Sequence, residues 1–177
     1  MAIRYGAGNW PDLVVIPLMT EELFPVCSPA LLRGRHPLEK PEDLVHHTLL
    51  HDDLSFENGD VDWRTWLRTV GADSVVDSER GPFFEHSHLV VQAAIDGQGV
   101  ALGRGVLVVD AMADGRLVRP FDSAGIPLEY AYYIAHPEGA MRRPSVAAFS
   151  NWLREEARTS QENSNVEYTS LIRSSGS

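Results

Sequence analysis

The amino-acid sequence predicts an α/β fold with mainly parallel strand pairing. Short apolar segments typical of strands alternate with segments whose apolar residues recur at helical spacing, and glycine or proline separates many of them. The clearest case is residues 81–104, which contain a polar helix start at Ser87, an amphipathic helix and a short apolar strand. Gly97 and Gly99 lie between the helix and the strand, and glycine readily adopts the positive φ that ends a helix.

The other elements follow from the same signals. Proline at a first helical position and serine before it indicate short helices, while β-branched and apolar runs bounded by turn residues indicate strands. The predicted strands are residues 1–6, 13–28 (edge-type strands with a turn between them), a strand starting at 75–76, 100–102, 117–121 and 130–135. The predicted helices are two short ones after Ser28 and at Pro41, and longer ones at residues 62–67 (ended by Gly71), 87–96, 106–113 and 144–157.

Composition limits the class of protein. The 177 residues carry 25 acidic and 15 basic side chains, a net charge of −10, and no basic run, so the chain by itself is not expected to bind DNA. No apolar run is long enough to cross a membrane and no secretory leader is visible. The single cysteine, Cys27, is compatible with a reducing compartment, and a cytoplasmic location is expected.

Several motifs occur in an order that resembles a known family. They are Ala2–Gly6 with Trp10–Leu13, Leu18–Pro29, Leu38–Leu44 with Leu49–Asp53 and Trp63–Trp66, the helix and strand after Ser87, and Gly115–Pro120 with Tyr130–Pro137 and Phe149–Leu153. Together they resemble the effector-binding domain of LysR-type transcriptional regulators, in the branch of the glycine-cleavage and β-lactamase regulators. The resemblance covers roughly residues 2–157.

The resemblance implies a periplasmic-binding-protein-like (type 2) fold of two subdomains joined by crossover strands. Residues 1–17 would be the end of subdomain 1 and the crossover, 18–118 subdomain 2, and 119–158 the returning part of subdomain 1. Residues 159–177, rich in Ser, Asn, Thr and Glu, are expected to form a disordered tail. The family's N-terminal helix-turn-helix, its linker helix and the first part of subdomain 1 have no counterpart in the sequence, which is therefore interpreted as truncated at its N-terminus.

The resemblance also implies a function. A small-molecule effector would bind between the subdomains and alter the geometry of a homo-oligomer, and DNA would be contacted only through the missing N-terminal domain. No cofactor, metal or membrane partner is expected, and no enzymatic activity. The effector-contacting residues would be Ser87 and Tyr132, with His86 beside the serine and with Arg4, Tyr5 and Gly6 where the first-subdomain strand reaches the cleft.

Each candidate residue also has a structural interpretation. Ser87 can act as a helix cap, Tyr132 as a packing residue of its strand, and Arg4 as one half of a structural ion pair. Strand alternation predicts that Tyr130 and Tyr132 share one face and that Tyr133 lies on the other.

Other groups of residues give weaker indications of a functional site. A serine hydrolase centred on Ser87 is disfavoured, because His86 and His88 are its neighbours on a helix and point about 100° away from it. The histidine and aspartate group His46, His47, His51, Asp52 and Asp53 is interpreted as exposed or capping residues, not as a metal site. The glycines at 97–105 follow a helix, whereas those of a phosphate loop precede one. Cys27, Trp63 and Trp66 are interpreted as packing residues. The alternative functions are a solute-binding protein fragment and a module that only oligomerises with intact regulator.

Overall fold

The computed structural model describes residues 1–52, 61–122 and 125–174, with side chains described up to residue 161. The strands are β1 (Ala2–Gly6), β2 (Leu13–Met19), β3 (Glu22–Val26), β4 (Leu49–Asp52), β5 (Phe83–Phe84), β6 (Val100–Arg104), β7 (Ile126–Pro127) and β8 (Ala131–Pro137). The α-helices are α1 (Trp63–Val70), α2 (Ser87–Ile95), α3 (Gly105–Ala113) and α4 (Pro144–Ser174). Short 3-10 helices occupy Pro29–Arg33, Pro41–His46 and Ala140–Arg142.

The chain forms two compact units. Unit 1 comprises residues 1–21 and 127–177, and unit 2 comprises residues 22–126. The sequence predicted boundaries after residues 17 and 118, whereas the structure divides the chain after residues 21 and 126. The assignment of the predicted ranges to the two subdomains remains a prediction.

Strand pairing differs from the expectation of mainly parallel sheets, which is wrong. In unit 1, β8 lies between β1 and β2 and runs antiparallel to both. The second sheet has the order β5-β4-β6-β3-β7, where β4 is parallel to β5 and β6 while β3 is antiparallel to β6. Local hydrophobic periodicity does not encode the direction of a strand. The antiparallel placement of β8 and β3 could therefore not be predicted from it.

Unit 2 contains the hydrophobic core. Two clusters of buried residues, one around Trp63, Trp66 and Leu67 and the other around Phe24, Leu50 and Val108, both lie within residues 22–126. The two tryptophans are buried on one side of α1, as predicted. Local signals define this helix, because the Asp62 carboxylate accepts a hydrogen bond from the Thr65 N–H at 2.8 Å and Gly71 ends it at φ +74°.

Three elements differ from the sequence-based expectation. Val75 and Val76 lie in a turn that closes on the Ala72 carbonyl, since Asp73 and Ser74 favour turn geometry, and the strand of this region is β5 instead. In the segment 117–121 only Val118 pairs, in an isolated bridge to Cys27. The last helix continues to Ser174, where a disordered tail was predicted, because no proline or glycine interrupts residues 145–174.

Candidate functional site

Ser87 lies at the first position of α2 and is tied to the neighbouring strand. Its hydroxyl donates a hydrogen bond to the carboxylate of Asp52, the last residue of β4. The residue at the N-cap is His86, whose side chain makes no capping hydrogen bond. The interpretation of Ser87 as the helix cap is therefore wrong, and its hydroxyl instead links α2 to β4.

The sheet explains why these two residues meet. Leu49 and Leu50 are buried and anchor β4 between its parallel neighbours β5 and β6. Asp52 follows them at the carboxyl end of the strand, beside Phe84 of β5. The carboxyl ends of parallel strands, next to helix N-termini, are the edge at which α/β folds commonly bind ligands. Ser87 and Asp52 are both partly accessible to solvent at this edge.

The chemistry of this pair follows from its hydrogen bond. Since the Ser87 proton is directed at Asp52, the hydroxyl and the carboxylate together present acceptor lone pairs. In the first turn of α2 the Leu89 N–H donates to the His86 carbonyl at 2.9 Å, whereas the N–H groups of Ser87 and His88 precede the first intrahelical bond and can donate to a ligand. An edge with carboxylate acceptors and backbone donors side by side can bind a small polar molecule that carries both kinds of group.

His86 and His88 flank Ser87 and are both exposed. Their rings stack on each other, with centroids 5.5 Å apart and planes inclined by 15°. The Ser87 hydroxyl proton is directed at a carboxylate and not at an imidazole, so the geometry is not that of a serine nucleophile activated by histidine.

A second group of predicted residues lies in unit 1, on β1 and β8. Tyr5 is directly opposite Tyr132 in the strand register, and their ring centroids are 4.9 Å apart. Tyr130 packs edge-on against Tyr5 at 5.8 Å, whereas Tyr133 packs against Trp10 at 5.7 Å. The predicted alternation is confirmed, and Tyr5, Tyr130 and Tyr132 form one aromatic cluster.

Arg4 and Gly6 take different positions on β1. The Arg4 guanidinium lies 5.4 Å from the centroid of the Trp10 ring, a cation–π contact, and the side chain is exposed. Gly6 is buried, and a Cβ there would lie 3.0 Å from the Trp10 ring. Gly6 thus allows the tryptophan to pack across the strand on the side from which Arg4 projects.

The histidine and aspartate group does not form a metal centre among the described residues, where no three potential ligands come together. His46 stacks on His36 with a centroid distance of 4.4 Å, and His47 Nε2 lies 2.8 Å from the His36 carbonyl oxygen. His51 is buried against Phe83, and this burial lowers its pKa. Asp53 lies outside the described residues.

Cys27 is fully buried, and burial raises the pKa of its thiol to about 12. Since the thiolate is the reactive form, we expect native Cys27 to resist a thiol reagent such as DTNB at pH 8 and to react fully once the chain is unfolded. The unfolded thiol ionises near pH 8.5, so its contribution to stability is present below that pH and is lost as the pH rises toward 12. Fast labelling of the folded chain would contradict the buried position.

A family model described as the LysR substrate binding domain matches residues 1–158. The chain belongs to this family. It is an effector-binding domain of the LysR-type transcriptional regulators, as the motifs predicted.

The similar curated proteins are regulators. The glycine cleavage system transcriptional activator of Escherichia coli K12 is 43% identical over 168 residues, which are 95% of this chain and 53% of that protein. The regulator DsdC of the same strain is 38% identical over 162 residues, 90% of this chain and 51% of that protein. The chain thus spans about half the length of the curated relatives it matches. Because these relatives are regulators, they give no support to the hypothesis of an enzyme or to that of an exported solute-binding protein.

Solved structures of effector domains from other regulators are similar to this chain. The effector domain of AmpR from Pseudomonas aeruginosa matches with a TM-score of 0.67 and 26% identity, over 91% of this chain and 73% of that one. The AmpR effector binding domain from Citrobacter freundii matches with a TM-score of 0.67 and 27% identity, over 89% of this chain and 74% of that one. Within the part of the chain that the structure describes, no helix combines the length and apolar character needed to span a membrane.

Asp52 is the functional candidate that sequence reasoning missed, because it was considered only as part of a histidine and aspartate group. The available signal was its position directly after Leu49, Leu50 and His51, since an apolar pair of this kind can begin a strand. Nothing local to residue 52 indicated that the start of α2 would lie beside it.

Proposed function

We propose that this effector-binding domain binds a small polar molecule at Ser87 and Asp52 of unit 2. The observation that carries the proposal is the hydrogen bond between these residues at the carboxyl end of β4. Ser87 was predicted as a ligand contact from the sequence, and its hydroxyl and the Asp52 carboxylate offer acceptors beside the N–H groups at the start of α2. His86, exposed at the N-cap, is the neighbouring contact.

The aromatic cluster of Tyr5 and Tyr132 is the contact surface that we propose for unit 1, with Arg4 and Gly6 beside it on β1. A tyrosine hydroxyl can donate to and accept from a ligand, and a guanidinium can pair with a carboxylate. A solved variant of the Citrobacter freundii domain replaces one threonine, one serine and one tyrosine by valine, alanine and phenylalanine. The last two replacements remove hydroxyl groups of the two kinds proposed here.

The effector acts, in this proposal, by stabilising one conformation of a homo-oligomeric regulator over another. A ligand shifts such an equilibrium only by its difference in affinity for the two states. DNA contact belongs to another part of the regulator, because the net charge of −10 opposes phosphate binding by these residues. The site of action is then the cytoplasm, where the DNA lies.

The direct test is binding by the purified chain. A thermal-shift screen against amino acids, aromatic acids and cell-wall peptides identifies the ligand class, because binding to the folded state raises Tm. With the ligand found, we expect Ser87→Ala and Asp52→Asn to raise Kd about tenfold, as for loss of a hydrogen bond to a charged group, and Tyr132→Phe to raise it several-fold. Isothermal titration calorimetry measures each value.

Matched variants separate binding from folding. Ser145→Ala removes an exposed serine from the first turn of α4, and Tyr133→Phe removes a hydroxyl from the opposite face of β8. Both should leave Kd and Tm unchanged. Wild-type affinity in Ser87→Ala and Asp52→Asn would refute the unit 2 site, and wild-type affinity in Tyr132→Phe would refute the contact in unit 1.

A further inference from the structure

A groove lies in unit 1 between the end of β2 and a polar stripe of α4. Its volume is about 460 Å³, which is within the range of small-molecule sites. Every residue that lines it belongs to unit 1. None of these residues is among the effector contacts proposed above, so the groove is a separate feature of the surface.

The two walls of the groove differ in character. On α4, four polar side chains recur at i, i+3, i+4 and i+7, a spacing that places them on one stripe of the helix. They are Asn151, Arg154, Glu155 and Arg158. The β2 wall is apolar and consists of Pro17 and Leu18. A charged wall opposite an apolar wall suits a small molecule that has both a polar end and an apolar body.

Hydrogen bonds hold parts of the lining in place. The Gln161 amide donates to the Thr20 hydroxyl at 3.3 Å, which ties α4 to the residue after β2. The Arg158 guanidinium donates to both carboxylate oxygens of Glu155, from Nε at 3.3 Å and from Nη2 at 2.6 Å. These bonds lower the pKa of Glu155, so its carboxylate is ionised at neutral pH.

Arg154 stands apart from this ion pair. It has no ion pair among the side chains that the structure describes. Glu155, its neighbour in the sequence, is already engaged by Arg158. A guanidinium keeps its charge throughout the accessible pH range and matches a carboxylate with two parallel N–H donors. Arg154 can therefore bind an incoming anion, and the Asn151 amide on the same stripe offers a further donor.

The charges of the lining indicate which anion fits. Two arginines and one glutamate give the lining a net charge of +1, although the whole chain carries −10. A monoanion neutralises this charge, whereas a phosphate group of about −1.5 to −2 would leave an excess of negative charge beside Glu155. We propose that this groove is a second ligand site. It binds a small monocarboxylic acid, with the carboxylate at Arg154 and the apolar part on Pro17 and Leu18.

Binding of hexanoate to the purified 177-residue chain tests the proposal. Hexanoate has a carboxylate and an apolar chain, hexanamide has the same shape without the charge, and inorganic phosphate has charge without the chain. We expect hexanoate to shift the NMR signal of the Arg154 Nε–H group with a Kd on the order of 1 mM, a usual value for a ligand of about eight heavy atoms. Neither of the other two probes should shift it at the same concentration.

Two substitutions should change the affinity in opposite directions. Arg154→Gln removes the partner of the carboxylate and should raise Kd about tenfold, as for loss of a hydrogen bond to a charged group. Glu155→Gln removes the negative charge beside the site and should lower Kd about threefold, a gain that misfolding cannot produce. The side-chain NH₂ signal of Asn151 reports binding in both variants.

Arg142→Gln is the matched control, because it removes the same charge from an exposed position of unit 1 outside the groove. It should leave Kd unchanged. An equal rise of Kd in Arg154→Gln and Arg142→Gln would overturn the proposal, since it would show attraction by the overall charge only. So would equal shifts with hexanamide, tighter binding of phosphate, or no hexanoate-dependent shift at Arg154. Effector binding at Ser87 is measured separately, and its outcome leaves this result unaffected.

Discussion

Replacing Trp66 with alanine will lower the free energy of unfolding by about 3–5 kcal/mol, the cost typical of a large aromatic residue removed from a core. Trp66 is 0% exposed and packs against Trp63 at 5.7 Å and Phe121 at 5.9 Å between ring centroids. The cavity would lie in the larger of the two core clusters of unit 2. Urea unfolding followed by circular dichroism measures the loss.

Two further variants test the cause. Trp66 Nε1 has no hydrogen-bond partner among the residues that the structure describes. Trp66→Phe therefore removes a buried unsatisfied donor along with part of the ring, and it should cost less than half as much as alanine. Trp152→Ala removes an exposed ring and should change the stability of the isolated chain by less than about 1 kcal/mol. Equal losses for Trp66→Ala and Trp152→Ala would show that the core is not where the structure has it.

Substituting Gly81 with alanine will destabilise unit 2 by about 4 kcal/mol, the sum of a strained backbone and an overpacked contact. Gly81 has φ +136°, and a Cβ there would overlap the carbonyl oxygen of Leu49. The contact lies between β4 and the chain that leads into β5, and His51 N–H donates to the Pro82 carbonyl next to it at 3.0 Å. Moving this segment would displace the strand that positions Asp52, so effector affinity should fall together with stability.

Gly71→Ala is the matched control for this effect. Gly71 also has a positive φ of +74°, but a Cβ there meets nothing within 4 Å. Only the backbone strain remains, at a cost of about 1–2 kcal/mol, and affinity should be unchanged because the residue lies at the end of α1. Thermal and urea unfolding of both variants give the comparison. A Gly81→Ala chain as stable as Gly71→Ala would contradict the close approach to Leu49.

The sequence indicated half of the site proposed in unit 2. Ser87 was recognisable because a polar residue before an amphipathic helix and after a turn marks a helix start, and that signal is local. Its partner Asp52 lies 35 residues away. The interpretation of Ser87 as a cap is wrong because the N-cap position belongs to His86, one residue earlier. The pairing of Tyr5 with Tyr132 was likewise not predictable from local signals. Strand alternation gives the face of each tyrosine but not the register that aligns them.

What the sequence by itself determined is the family, most of the elements and the residues of the core helix α1. These depend on signals within a few residues, such as helical spacing, Asp62 before α1 and Gly71 after it. Only the tertiary structure decided the strand directions, the bond from Ser87 to Asp52 and the exposure of Phe149 and Trp152. The physical reason is that these features depend on which distant segments lie side by side, and hydrophobic periodicity indicates that a face is apolar without naming what covers it.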